Sequence, residues 1–228
     1  MIVAIVATVC WIAVQGLEMP PPQPTPEVKT TTPTDGQTAL SVLDTLPVKG
    51  RAPKTGYTRT QFGNGWATSG GCDTRERILQ RDLVDMMISD GCKVMSGLLH
   101  DPYTGKDIRF TRGVDTSSAV QIDHVVALSD AWQTGAQQLT AAQRQQLAND
   151  PLELLAVDGS ANLQKSDGDA ATWLPSNKSF RCQYIARQIA VKIKYTLWIT
   201  QAEKDAMMRV LSGCPEQQMP RESGVQVN

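Results

Sequence analysis

Histidine is almost absent: the 228 residues contain only two, His100 and His124. That scarcity argues against a zinc centre built on several imidazoles, and the five cysteines form no Cys-x-x-Cys pair that could replace them. An excess of one charge is also missing. With 22 Lys and Arg against 23 Asp and Glu, the formal net charge of −1 gives no overall electrostatic footprint for a polyanion. Internal repeats are absent too. The one long apolar run, residues 2–14, falls short of the roughly 20 residues a spanning helix needs, and it suits the apolar stretch of a signal peptide at about 7–15 residues. No basic residue precedes it and no clean small-residue cleavage site follows, so a cleaved signal and a retained anchor both stay open.

One of the two histidines stands in Gln121-Ile122-Asp123-His124-Val125-Val126-Ala127-Leu128, beside a carboxylate in an apolar strand pattern. An imidazole near neutral pH takes a proton from water and a carboxylate holds a divalent cation, so the dipeptide carries a base and a ligand for hydrolysis. The plainer reading is a buried histidine bonded to its neighbour. Downstream, residues 150–165 run through Leu152-Glu153-Leu154-Leu155-Ala156-Val157, a Gly-containing turn at Asp158-Gly159, and the polar helix start Ser160-Ala161-Asn162. Together the two segments predict a β-hairpin followed by a helix.

This arrangement resembles the ββα-metal core of HNH endonucleases, with Asp-His on the first strand and Asn162 opening the helix nine positions after Glu153. Further segments resemble secreted HNH nucleases related to the C-terminal domain of GmrSD restriction enzymes. They are Cys72-Asp73-Thr74-Arg75, Asp101-Pro102-Tyr103-Thr104-Gly105, Leu128-Ser129-Asp130-Ala131-Trp132, Ala148-Asn149-Asp150-Pro151-Leu152 and Lys165-Ser166-Asp167-Gly168-Asp169, spread over residues 63–214. The resemblance implies an α+β fold in which a ββα-metal (HNH, or His-Me finger) core sits in a mostly helical domain. It implies a metal-dependent endonuclease with DNA as substrate, RNA remaining open. His124 is then the general base, and Asp123 and Asn162 hold the metal. Oxygen ligands without cysteine favour Mg²⁺ or Mn²⁺ over Zn²⁺.

Other residues join this expectation. Arg75 resembles a family signature residue and has two roles open, one on the scissile phosphate and one in an ion pair with Asp73 or Asp150. Lys165, three positions after Asn162, is expected to contact phosphate. From 174 to 198 the basic residues Lys178, Arg181, Arg187, Lys192 and Lys194 occur without an acid among them, which predicts a local phosphate-facing surface, Lys178 and Arg181 in particular. Trp132 and Trp173 are expected to anchor the core beside the site. Glu153 departs from the family, which usually has Asn there to tie the loop between the strands. An ionised carboxylate accepts hydrogen bonds but cannot donate them, so either Glu153 serves that loop through backbone N–H groups or Asn149 takes over.

Four cysteines lie beyond the apolar run, and Cys72 with Cys92 and Cys182 with Cys214 would each clip a helical segment to its following loop. That use of cysteine suits an exported protein. The organisation expected is a leader or anchor (1–17), a Pro/Thr-rich linker (18–45) ending in a short helix over 37–46, the nuclease domain (46–214) and a frayed polar tail (215–228). Helices are expected after Asp73 or Thr74, running through Ile78, Leu79, Leu83 and Met86, after Thr140, over 180–198, and over Gln201–Leu211. Two other functions compete: a catalytically inactive HNH-like binding module, and a different exported hydrolase acting on peptidoglycan. The low histidine count speaks against the second.

Overall fold

The computed structural model describes residues 36–220. The leader and most of the linker lie outside the described residues. Thr38 caps α1 (Ala39–Leu43) by accepting from Ser41 N, and Ala39, Val42 and Leu43 are buried in the main core. The folded body therefore reaches into the stretch that composition assigned to the linker. The part that folds is the short helix expected over 37–46, ordered by burial of its apolar face.

A 3-10 turn (Arg59–Phe62) and the short antiparallel pair β1 (Thr68–Ser69) and β2 (Cys72–Asp73) come next. Asp73 then caps α2 (Thr74–Asp82), accepting from Glu76 N at 2.8 Å. The expected helix through Met86 stops at Asp82, and Leu83 instead begins β3 (Leu83–Ser89). β3 pairs with β4 (Lys93–His100), which pairs with β5 (Asp107–Thr111), in a three-stranded antiparallel sheet that the sequence pattern did not reveal. The apolar spacing of Leu83 and Met86 fits either period over so short a run, and register shifts in β3 blur its alternation. Pairing with β4 decides the outcome.

β6 (Val120–His124) pairs antiparallel with β7 (Leu154–Asp158), Asp123 opposite Leu155 and His124 opposite Leu154. The connection between them is long and folded, containing α3 (Leu128–Gln133) and α4 (Ala141–Asn149), the latter started by a capping box at Thr140 and Gln143. α5 (Gly159–Lys165) follows β7 with no intervening loop. Only glycine fits its first position, since a Cβ at Gly159 would collide with the Ser118 carbonyl. α6 (Arg181–Lys194) and α7 (Gln201–Leu211) complete the fold.

Alternation along β6 and β7 places them between two cores. Val120, Ile122, Leu154 and Ala156 pack with Ile78, Leu79 and the three-stranded sheet, whereas Leu155 and Val157 pack with the helices α1, α3, α6 and α7. The architecture is α+β. Disulfides join Cys72 to Cys92 and Cys182 to Cys214, the expected pairing, with Cα separations of 5.6 and 6.5 Å.

Candidate active site

Period 2 sends Asp123 and His124 to opposite faces of β6, and the end of the strand at His124 lets both reach one cavity of about 450 Å³. Asn162 lines it as well, brought there by α5. Asp158 fixes that helix: its carboxylate accepts from Ala161 N at 2.7 Å, while its own N–H donates to Asp101 Oδ1 at 2.9 Å. The three residues read from sequence as the chemical centre therefore share one space.

His124 is 5% exposed and stacks flat on Trp66, with ring centroids 5.7 Å apart and an interplanar angle of 7°. Its Nε2 lies 3.0 Å from the Ala148 carbonyl. A carbonyl can only accept, so Nε2 carries the proton and Nδ1 keeps the free lone pair. Burial, then the nearby Arg59 charge, holds the imidazole pKa down at about 3. The ring is neutral at ordinary pH.

Both oxygens of Asp123 are already engaged. Lys165 Nζ donates to Oδ1 at 2.9 Å and to the His124 carbonyl at 2.7 Å, and the Tyr103 hydroxyl donates to Oδ2. Tyr103 is held by the Asp101–Gly105 turn, where Asp101 Oδ2 accepts from Thr104 N at 2.7 Å and Gly105 N donates to the Asp101 carbonyl. Lys165 is 2% exposed, so the expected phosphate contact gives way to an internal one: α5 places residue 165 on the same face as Asn162, and that face points inward.

The residues present fit a divalent cation sparingly. Each Asp123 oxygen retains one lone pair, and Asn162, whose Nδ2 donates to Gln121 Oε1 at 2.9 Å, has an amide oxygen with no donor among the described residues. Two hard oxygen donors with open positions for water suit an ion that keeps much of its hydration shell. No cluster of three or more His, Cys, Asp or Glu capable of holding a metal occurs among the described residues.

Glu153 is fully buried and does serve the loop after His124, accepting from Val126 N at 3.2 Å through Oε2 while its carbonyl accepts from Val125 N. Burial pushes its carboxyl pKa well above the usual range. Asn149 does not take over this role; it ties Ala67 N to the end of α4.

The remaining expected contacts are dispersed. Arg75 donates to the Val120 carbonyl, at the opposite end of β6 from His124, and pairs with neither Asp73 nor Asp150. Lys178 is exposed on a 3-10 turn (Lys178–Phe180), and Arg181 donates to the Pro175 carbonyl; neither lines the cavity. The rest of the basic run is spent inside. Arg187 holds the carbonyls of Pro151, Leu152 and Leu154, Lys192 is buried between Asp130 and Glu203, and Lys194 pairs with Asp150. An acid-free stretch of sequence says nothing of acids that α3 and α7 bring to it. Trp132 and Trp173 do pack at the core, Trp173 lying 5.0 Å from Tyr103 between centroids.

Residues 73–210 match the family model described as GmrSD restriction endonucleases, C-terminal domain. The chain belongs to this family. A protein of Arthroderma benhamiae named as an uncharacterized secreted protein is 38% identical over 204 residues, which cover 89% of this chain and 95% of that one. No solved structure matches. Within this GmrSD-family chain, sequence reasoning missed Arg59 and Trp66, both beside His124 and both preceding the matched residues. Tyr103 carries no site signal in the sequence beyond its place in the family-like Asp-Pro-Tyr-Thr-Gly turn.

Proposed function

We infer that the chain is an exported, divalent-metal-dependent endonuclease of the HNH type that hydrolyses phosphodiester bonds in DNA. The observation that carries this reading is the fixed tautomer of His124: its Nε2–H is committed to Ala148, and Nδ1 is left as a base in the cavity that also holds Asp123 and Asn162. β6, β7 and α5 then form the ββα-metal core. Export draws on the two disulfides and the naming of the Arthroderma relative.

His124 removes a proton from the attacking water at Nδ1, and the Ala148 carbonyl holds the imidazolium that results. Asp123 and Asn162 would hold Mg²⁺ or Mn²⁺, which would supply positive charge to offset the negative charge that develops during attack. Lys165 and Tyr103 orient Asp123, and Trp66 restrains the imidazole plane. A second reading, an inactive HNH-like module that binds DNA or a partner, is favoured by one feature: both Asp123 oxygens are already hydrogen-bonded.

The deciding experiment incubates the purified chain with plasmid, single-stranded DNA and RNA, in Mg²⁺, Mn²⁺ or EDTA, beside His124→Ala. Cleavage that needs metal and falls by at least about 10²-fold in the variant is expected. Binding without cleavage selects the second reading.

A further inference from the structure

The cavity at His124 is walled by two cations and two carboxylates, Lys54, Arg59, Asp123 and Asp167. Lys54 pairs with Asp167 at 3.1 Å, and Lys165 satisfies Asp123 from behind. Arg59 is left over. It is exposed, and among the described residues it donates no hydrogen bond and joins no ion pair. The charge left uncompensated at this site is therefore a guanidinium.

Its position is built rather than incidental. Arg59 begins the 3-10 turn whose last residue, Phe62, is 2% exposed and packs edge-on against Trp132 with centroids 6.3 Å apart. Arg144 fixes the turn's backbone, donating from Nε to the Gln61 carbonyl at 2.8 Å and from Nη2 to Gln61 Oε1 at 3.2 Å. Beyond the main cavity a smaller one of about 130 Å³ is lined by Arg59, Trp66 and His124, so Arg59 and His124 border both spaces. An arginine set on a rigid turn, unpaired, at the same wall as the free imidazole lone pair presents a planar fork to whatever anion reaches that base.

We propose that Arg59 binds the phosphate group attacked at His124, one of the two roles that the sequence leaves open for Arg75. This rests on the nuclease reading above and names the substrate contact that reading lacks. The fork engages two non-bridging oxygens and stabilises the negative charge that develops on them during attack.

The test uses the full chain with Arg59→Ala and Arg59→Lys, cleaving a fluorescent duplex oligonucleotide over a range of salt. Arg59→Ala should lower kcat/KM by about 10²-fold with an unchanged melting temperature, and Arg59→Lys should recover part of that loss. The dependence of log(kcat/KM) on log salt should flatten by about one unit in Arg59→Ala. In a His124→Ala background, anisotropy titration with the same duplex should show weaker binding once Arg59→Ala is added. Wild-type kcat/KM and salt slope in Arg59→Ala, in a protein that cleaves and loses cleavage with His124→Ala, would overturn this inference alone. A parent chain that cleaves no nucleic acid overturns the nuclease reading and this inference with it.

Discussion

Glu153 has no exposure, one carboxylate oxygen on Val126 N and the other without a hydrogen-bond partner among the described residues. Burial favours its protonated form, to which glutamine is nearly isosteric. Because the folded pKa lies above the ordinary 4.5, the stability linked to this group is complete below that value and is lost as pH climbs through the raised one. Glutamine does not titrate, so Glu153→Gln should gain stability relative to the parent as pH rises, while Glu153→Ala, which orphans Val126 N, should lose about 1–3 kcal/mol. Urea melts at pH 4, 6 and 8 measure both, and a glutamine variant that loses ground with pH would refute the protonated carboxyl. Asp123 and Lys165 are coupled in the same buried way. Lys165→Met should cost about 3–5 kcal/mol, because it strands a buried carboxylate, and the double variant Lys165→Met/Asp123→Leu should recover much of it in the same melts.

Helix α6 carries the clearest element-scale test. Lys192 has no exposure and reaches Asp130 on α3 and Glu203 on α7, at 3.2 and 3.0 Å. Burial and the neighbouring acids raise the Glu203 pKa to about 7 even with Lys192 alongside, and Asp130 and Glu203 hold the ammonium pKa above its usual value. Lys192→Met removes the cation that bridges the two acids, leaving Arg51 on Asp130. A deficit of about 3–5 kcal/mol is expected at pH 8. Glu203, already raised, then loses its cation and is raised further, so its stability contribution is present at low pH and lost on going up. The deficit should shrink at pH 5, and chemical denaturation at the two pH values reads it directly.

For the whole molecule, the candidate metal position has two protein donors, whereas the fold has two disulfides and two continuous cores. Chelation should therefore abolish cleavage and barely move the melting temperature, since an ion held weakly adds little by mass action. A large thermal shift with EDTA would mean a structural metal. Reduction of the Cys72–Cys92 and Cys182–Cys214 bridges should do the opposite, costing about 2–4 kcal/mol each, with calorimetry on reduced and alkylated protein as the measurement.

Sequence by itself determined what depends on neighbours in the chain. The Asp123-His124 pair at the end of an apolar strand, Asn162 at the start of the next helix, and the helix starts at Asp73 and Thr140 were legible because caps and strand alternation are local rules, and the cysteine pairing because each bridge clips a helical segment to its following loop. Tertiary structure decided whatever depends on burial and long-range partners. Lys165 turned inward, Lys192 and Lys194 of α6 paired with distant acids while Arg181 and Arg187 went to backbone carbonyls, and residues 83–89 became a strand because β4 lies beside them. Arg59 came to the wall of His124 across 65 positions of chain by the packing of Phe62 on Trp132, a contact no local pattern encodes.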